Sequence, residues 1–526
     1  HASSPSCNGV LAGDDAWERW RVCSGCGRHF AIPARERLRL LLDPGTFVET
    51  DAVLRSLEPL RWADRQPGEE ESPIDPVSEA VVTGAGRIGG AEAVVIALDN
   101  AYLGERLGPV AASKIARAID RGAADGMPVI ALCAAGGAPL GVAALGGWQT
   151  PKIAAAAGRL RQAGGALIGI MVHPASGAVW EALLAQSDLI AAEPDAALDL
   201  APGVPGAAPR TVSARQLKEA GLIDALVERP RLGEWLSALL LTLAARAQQR
   251  QPAAILRSIL QDRDRATPEP DPASLAGFEQ VLFARHAGRP EASSLLHGMV
   301  SDWTECAGDR GGGGTGAVVA GFGLLAGTPV AAIATRAGAR PDAATWKIVT
   351  RVLRMAGRWG MPVVVLIHAP ADDDGADPLA EAAALSAAAE MLAVAARMPA
   401  PVVAVVTGEA GGAGTIALAA ADRVLMLEHA VLTSAGRERH VMPGRPGPGA
   451  MNPSGLVGQS ALSARECVRL GLVDQVAPEP SPAAHADPAA AAAMLADAIS
   501  GVLAGLAAMP PRRLRSERAK RYRALG

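Results

Sequence analysis

The chain has 526 residues, more than one hydrophobic core accommodates, so two to four domains are expected. Its 50 Lys and Arg against 54 Asp and Glu give a net charge of −4, which excludes nucleic-acid binding through global positive charge. Hydrophobic residues make up 49% but aromatic residues only 3%, so the core must rest on Ala-rich helices and close backbone packing rather than on large rings.

In chain order, the first feature is a group of three cysteines, Cys7, Cys23 and Cys26. Cys23-Ser-Gly-Cys26 has the spacing of one half of a tetrahedral zinc site. The other half is incomplete, because Ser4 stands where a partner of Cys7 is expected. His1, His29 or water are the candidates for a fourth ligand. A metal knuckle over residues 1–30 is expected, with a structural zinc and no catalytic metal-bound water. Cys133, Cys306 and Cys467 are scattered singly, which points to a reducing compartment. No basic segment followed by an apolar one opens the sequence. The apolar stretches 232–247 and 489–509 are broken by Glu234, Arg246 and Asp497, so buried helices and a cytoplasmic protein without membrane contact are expected.

Beyond the knuckle the chain repeats itself. Ala80-Val81-Val82 followed by Gly84 returns as Ala317-Val318-Val319 followed by Gly321. Gly126-Met127-Pro128-Val129 returns as Gly360-Met361-Pro362-Val363, each opening an apolar run of strand character. Asp188 and Asp422 stand at the same offset. Ser213-Ala214-Arg215 running to Gly221-Leu-Ile-Asp224 returns as Ser463-Ala464-Arg465 running to Gly471-Leu-Val-Asp474. Short apolar strands alternate with Ala-rich helices in both copies, which predicts an α/β unit at 31–250 and another at 275–526. Residues 251–274, with Pro268, Pro270 and Pro272, read as the linker.

With these residues in view, the sequence resembles the β and α carboxyltransferase subunits of bacterial acetyl-CoA carboxylase, fused into one chain. The cysteine pattern followed by Arg35-Glu-Arg-Leu-Arg-Leu-Leu-Leu-Asp-Pro-Gly-Thr-Phe-Val-Glu49 resembles the β subunit's zinc ribbon and next helix. Arg285-His286, Arg289-Pro290, Ala307-Gly308-Asp309-Arg310, Gly408-Glu-Ala-Gly-Gly-Ala-Gly414 and Leu472-Val-Asp-Gln-Val-Ala-Pro-Glu-Pro480 resemble the α subunit. The resemblance implies a crotonase-like spiral of ββα turns in each half and a homodimer. It also implies carboxyl transfer between carboxybiotin on a separate carrier protein and the α-carbon of a short acyl-CoA. A biotin carboxylase and a biotin carrier protein would be partners, and the product would feed fatty acid or polyketide biosynthesis.

Such chemistry passes through an enolate, whose oxygen needs backbone N–H donors, and glycine turns opening helices provide them. Gly136-Gly137, after the strand Val129–Cys133, matches the family's thioester-holding turn, and Gly177-Ala178 matches a second with one glycine replaced. Gly411, Gly412 and Gly414 match the biotin-side turn. Lys114 and Arg117, and Lys347 and Arg351 on the corresponding helix of the second half, are candidates for CoA phosphate contacts, with a solvated helix face as the alternative. His173 and His368 end apolar strands near these turns and read as strand-end residues with local hydrogen bonds. No Walker-type loop and no biotinylation segment is present in the sequence. Pro139-Leu-Gly-Val142 after the first turn and Pro370-Ala-Asp-Asp-Asp-Gly375 depart from the family pattern. They leave open a biotin-independent decarboxylase of malonyl-CoA or of a malonyl carrier protein, or a silent scaffold.

Overall fold

The computed structural model describes residues 11, 13–54, 80–99, 109–134, 150–172, 175–176, 179–199, 211–248, 277–314, 316–336, 339, 341–369, 378–411, 417–433 and 461–524. The chain divides into two units, His1–Leu241 and Thr242–Gly526. The linker expected at 251–274 lies outside the described residues.

Unit 1 begins with the short helix α1 (Asp15–Trp20), followed by α2 (Ala34–Leu41). Its strands are β1 (Val48–Thr50), β2 (Val81–Ile88), β3 (Ala91–Leu98), β4 (Val129–Cys133), β5 (Leu167–Met171), β6 (Ala175–Ser176), β7 (Leu189–Ala192), β8 (Ala197–Asp199), β9 (Thr211–Ser213) and β10 (Ala225–Leu226). The helices α3 (Pro109–Asp125), α4 (Thr150–Gln162), α5 (Ala214–Glu219) and α6 (Leu232–Gln248) complete it. The main sheet runs β1-β2-β3-β4-β5-β7-β10 among the described residues. β1, β2 and β3 pair antiparallel, and from β3 onward every pairing is parallel. Strands buried on both faces must be apolar throughout, and β4 and β5 are buried at every position.

Unit 2 repeats this order. It holds α7 (Gly277–Ala284), α8 (Ala292–Met299), β11 (Val300–Glu305), β12 (Val318–Leu325), β13 (Thr328–Thr335), α9 (Ala343–Trp359), β14 (Val363–Ala369) and α10 (Pro378–Ala396). It continues through β15 (Val402–Gly411), β16 (Arg423–Leu427), β17 (Val431–Thr433), β18 (Ala461–Ser463), α11 (Ala464–Arg469), β19 (Gln475–Ala477), α12 (Pro488–Ala507) and α13 (Pro511–Ala524). The sheet order is β11-β12-β13-β14-β15-β16-β19, parallel from β13 onward, with β17 and β18 attached beside β15.

The repeated residues do the same work in each copy. Asp188 accepts from Leu167 N at 3.0 Å and Asp422 from Val402 N at 2.8 Å, each anchoring the start of a parallel strand. Asp224 and Asp474 do likewise for Ile190 N and Val424 N, at 2.8 and 2.7 Å. Ser213 with Gln216, and Ser463 with Glu466, form reciprocal capping boxes at the starts of α5 and α11. Gly126 and Gly360 both have φ of +67°, the left-handed turn that lets a helix stop and the next strand begin.

Among the described residues, two helices are long and apolar enough to cross a membrane, α10 over Leu379–Ala396 and α12 over Pro488–Ala507. The first of these was not singled out from the sequence. It is 11% buried, whereas α12 is 33% buried and turns Leu495, Ile499, Leu503 and Leu506 inward.

Candidate active site

In a parallel α/β sheet the helix-opening turns lie beyond the carboxyl ends of the strands, and ligands bind there. In unit 1 this edge is the end of β3, β4, β5 and β7. Gly136-Gly137 follow β4, and Gly177-Ala178 follow β5; all four lie outside the described residues, as does His173. The described residues at the same edge form a buried ionic lock. Glu193, just past β7, accepts from Arg37 Nη1 at 2.9 Å, from Arg229 Nε at 2.8 Å and from Arg229 Nη2 at 2.9 Å. Burial alone would push its carboxyl up, but Arg37 and Arg229 outweigh it and hold the pKa at about 2. Arg229 also donates to Trp20 O and Phe30 O, and Asp99, just past β3, accepts from Ala34 N at 2.8 Å. These bonds tie the N-terminal segment to the strand ends. Cys133, which closes β4 beside the first glycine turn, is fully buried, and burial pushes its thiol up, so it supplies no thiolate there.

Unit 2 carries a different set of side chains at the equivalent edge. Glu409 on β15 is buried and accepts a bidentate pair from Arg285, just past α7, Nε at 2.6 Å and Nη2 at 2.8 Å. Thr433 Oγ1 donates to the same carboxylate at 3.1 Å. Arg289 donates to Thr407 O at 2.8 Å and pairs with buried Glu479 at 2.5 Å. His368, next to last on β14, exchanges hydrogen bonds with Thr335 through its backbone, N to Oγ1 at 2.8 Å and Oγ1 to O at 3.0 Å. Burial first, then the nearby Arg289 charge, lower its pKa, against the opposing pull of Glu409 and Glu291. Its imidazole is therefore neutral near pH 7. A Cβ at Gly408 would come within 2.7 Å of the His368 ring, so any other residue there has to displace that ring. Gly411 ends β15, while Gly412 and Gly414 lie outside the described residues. The polar groups of this edge thus converge on the strand that ends at Gly411.

The cationic candidates separate. Lys114 on α3 is 1% exposed, so its ammonium does not face solvent. Arg117 is exposed and pairs with Asp51 at 2.8 Å. Lys347 on α9 is half exposed and reaches Asp309 at 3.5 Å. Arg351 donates to Ala307 O at 3.1 Å and Gly308 O at 2.9 Å, while Asp309 accepts from Gly311 N and Gly313 N, both at 2.9 Å. The Ala307–Arg310 motif is thereby folded against α9.

Two family models cover the chain. The carboxyl transferase domain matches residues 27–200, and the acetyl co-enzyme A carboxylase carboxyltransferase-like family matches residues 247–526. The acetyl-coenzyme A carboxylase carboxyl transferase subunits beta/alpha of Salinispora tropica is 33% identical over 96% of this chain and 92% of its own length. Its counterpart from Salinispora arenicola is 34% identical, with the same coverage of both chains. The chain belongs to the acetyl-CoA carboxylase carboxyltransferase family. It is a carboxyltransferase carrying the β-type and α-type halves in one polypeptide. Among solved structures, the transcarboxylase 12S subunit superposes with a TM-score of 0.66 at 20% identity, covering 90% of each chain. A single-chain, multi-domain long-chain acyl-CoA carboxylase gives 0.63 at 20% identity, covering 92% of this chain and 47% of that one. The carboxyltransferase therefore has the α/β architecture of these enzymes.

At the knuckle, Cys23 and Cys26 flank a tight turn closed by Gly27 N to Cys23 O at 2.8 Å and Cys23 N to Arg28 O at 2.9 Å. His29 corrects one expectation. Its Nδ1 lies 3.4 Å from Asp195 Oδ2 and its Nε2 accepts from Arg229 N at 3.2 Å, so neither nitrogen faces a metal. Cys7 and His1 lie outside the described residues, and among the described residues no group of three donors could hold a metal ion. Sequence reasoning missed the partners of Glu409 and Glu193. The available signal was a carboxylate at the end of an otherwise apolar strand, which must find a cation when buried.

Proposed function

We propose that the carboxyltransferase moves a carboxyl group between carboxybiotin, delivered on a separate carrier protein, and the α-carbon of a short acyl-CoA. The reading is supported by the order of the chain, in which Gly136-Gly137 and Gly411-Gly412-Ala413-Gly414 come at or just after the ends of the buried parallel strands β4 and β15, the edge where α/β sheets take ligands. In this reading the backbone N–H groups of Gly136-Gly137 and Gly177-Ala178 hold the thioester and enolate oxygens of the acyl group. Those of Gly411, Gly412 and Gly414 hold the ureido oxygen of the carrier's biotin. Glu409, fixed by Arg285 and Thr433, sets the position from which the second turn departs. Arg117 and Lys347 are the solvent-accessible candidates for CoA phosphates. Biotin carboxylase and the biotin carrier are the implied partners, in the cytoplasm. A structural zinc on Cys7, Cys23 and Cys26 belongs to the same proposal, supported by the cysteine turn, and no reaction step passes through it.

The test is to incubate the purified protein with malonyl-CoA, with and without free biotin, and follow acetyl-CoA by mass spectrometry. Biotin-dependent acetyl-CoA is the expected result. Equal production without biotin would replace the proposal with a decarboxylase. Silence with malonyl-CoA and with a malonyl carrier protein would point to a scaffold.

A further inference from the structure

A cleft of about 280 Å³ opens between α12 and the starts of β16 and β19, at the end of the strands opposite the candidate active site. Its origin is two glycines one helical turn apart. Gly501 and Gly505 line it from α12, and a Cβ at either would meet nothing within 4 Å. The rest of α12 is rich in alanine, and glycine weakens a helix interior relative to alanine, so the helix keeps this notch at the expense of its own stability. Val502, Leu506 and Met509 make the helix side apolar, and Leu425 adds an apolar side chain from β16. The charges around the cleft are unequal. Asp474 lines it but is already engaged, accepting from Val424 N at 2.7 Å and pairing with Arg521. Arg423 also lines it and is half-buried. Among the described residues its guanidinium has one hydrogen-bond partner, the carbonyl of Asp422 at 2.8 Å, so most of its N–H donors are unmet. Arg513 of α13 is exposed and acts on the same carboxylate as Arg423, that of Glu517, which pairs with Lys520 at 2.9 Å. Arg423, Arg513, Lys520 and Arg521 thus outnumber Asp474 and Glu517 here.

We propose that this cleft binds a small amphipathic anion, a short aliphatic chain ending in one carboxylate or phosphate, with the chain in the glycine notch and the head on Arg423. Three features select that chemistry. Sites for drug-sized ligands run to about 300–1,000 Å³, so a cleft just below that range suits a single short chain. The apolar walls favour a body without polar groups, since a polar group buried there would lose its hydrogen bonds to water. A guanidinium with unmet donors pairs best with the oxygens of a carboxylate or phosphate, and the surplus of positive charge disfavours a cationic head. The cleft stands at the amino ends of β16 and β19, whereas the glycine turn lies past the carboxyl end of β15. The proposal is therefore independent of the acyl-CoA substrate and of biotin use.

The test is equilibrium dialysis of the full-length protein against labelled octanoate, with octyl phosphate and octanol as parallel probes. Saturable binding of octanoate or octyl phosphate is expected, with a dissociation constant of about 1 mM or below. The tighter of the two identifies the head group that Arg423 receives. R423M keeps the aliphatic stem and removes the charge, and should weaken the preferred anion at least about tenfold. G505L places a side chain in the notch and should abolish binding. Its urea midpoint should stay at or above that of the wild type, because leucine is the better helix former and the space is open. Should G505L fail to fold, R423M decides the matter. Absence of saturable binding for both anions, or an unchanged constant in folded G505L or R423M, would overturn the proposal. So would octanol bound as tightly as the anions, which would reduce the cleft to an apolar crevice.

Discussion

Replacing Glu193 by Gln removes one charge and keeps the shape of the side chain, so it isolates what the ionic lock of unit 1 contributes. Glu193 is fully buried and its two partners, Arg37 and Arg229, are 3% and 4% exposed. Loss of the carboxylate charge leaves two buried guanidinium groups without the carboxylate they share, with Asp99 the remaining acidic group acting on Arg37, and breaking a buried pair in this way costs about 3–5 kcal/mol. The pKa gives an independent figure. A carboxyl lowered from 4.5 to about 2 stabilises the fold by roughly 3 kcal/mol. Because the folded pKa is the lower one, that contribution is complete above pH 4.5 and is lost as pH falls toward 2. The wild type should therefore exceed E193Q by its full margin at pH 7, and the two should converge below pH 4.5. Urea unfolding at a series of pH values measures the margin, and hydrogen exchange at His29 and Ala34, whose amides bond to Asp195 and Asp99, reports whether the N-terminal segment loosens first. An apolar triple variant, R37M/E193L/R229M, should recover most of the loss, since packed apolar side chains often equal a buried ion pair. A margin under about 0.5 kcal/mol for E193Q, or a triple variant as unstable as the single one, would refute the reasoning.

In unit 2, Arg518 is fully buried, pairs with Asp422 at 2.6 and 2.9 Å and donates to three backbone carbonyls; R518M should cost about 3–5 kcal/mol in urea unfolding. G408A should lower stability by about 1–3 kcal/mol by driving a methyl group into the His368 ring, and H368A in the same chain should restore most of it in the same assay. S213A and S463A should each cost about 0.5–2 kcal/mol by thermal unfolding, additively, because their capping boxes share no partner. K347A should raise the KM for malonyl-CoA roughly tenfold with little change in kcat if the lysine meets a CoA phosphate, whereas an unchanged KM would leave it as a tether for Asp309.

The scaffold was more legible than the site because scaffold signals are local and site signals are not. Asp188 and Asp422 could be matched by position, and each bonds a strand-start amide about twenty residues away within one supersecondary unit. Ser213 and Ser463 announce their helices through a residue three positions on. Glu193 is bound by Arg37 and Arg229, and Glu409 by Arg285, at separations that periodicity does not report. Lys114 read as a surface cation from its spacing, yet it lies on the inward face of α3.

The two halves of the carboxyltransferase agree where a strand begins and differ where it ends. At the starts of β5 and β15 the same aspartate makes the same bond, and the next strands repeat the arrangement with Asp224 and Asp474. At the carboxyl edge, unit 1 places Asp99 and Glu193 in bonds that hold the N-terminal segment, while unit 2 places His368, Glu409 and Arg285 around the strand leading to Gly411. A duplicated sheet can be conserved for packing at one end and altered for chemistry at the other, because side chains at the carboxyl edge point into turns rather than into the core. In the proposed reaction, a thioester and a cyclic urea each present one oxygen that needs backbone donors. One turn geometry can serve both, with the surrounding side chains deciding which it receives. On that reasoning, exchanging polar residues at the unit 2 edge should alter the response to biotin and leave acyl-CoA binding in place.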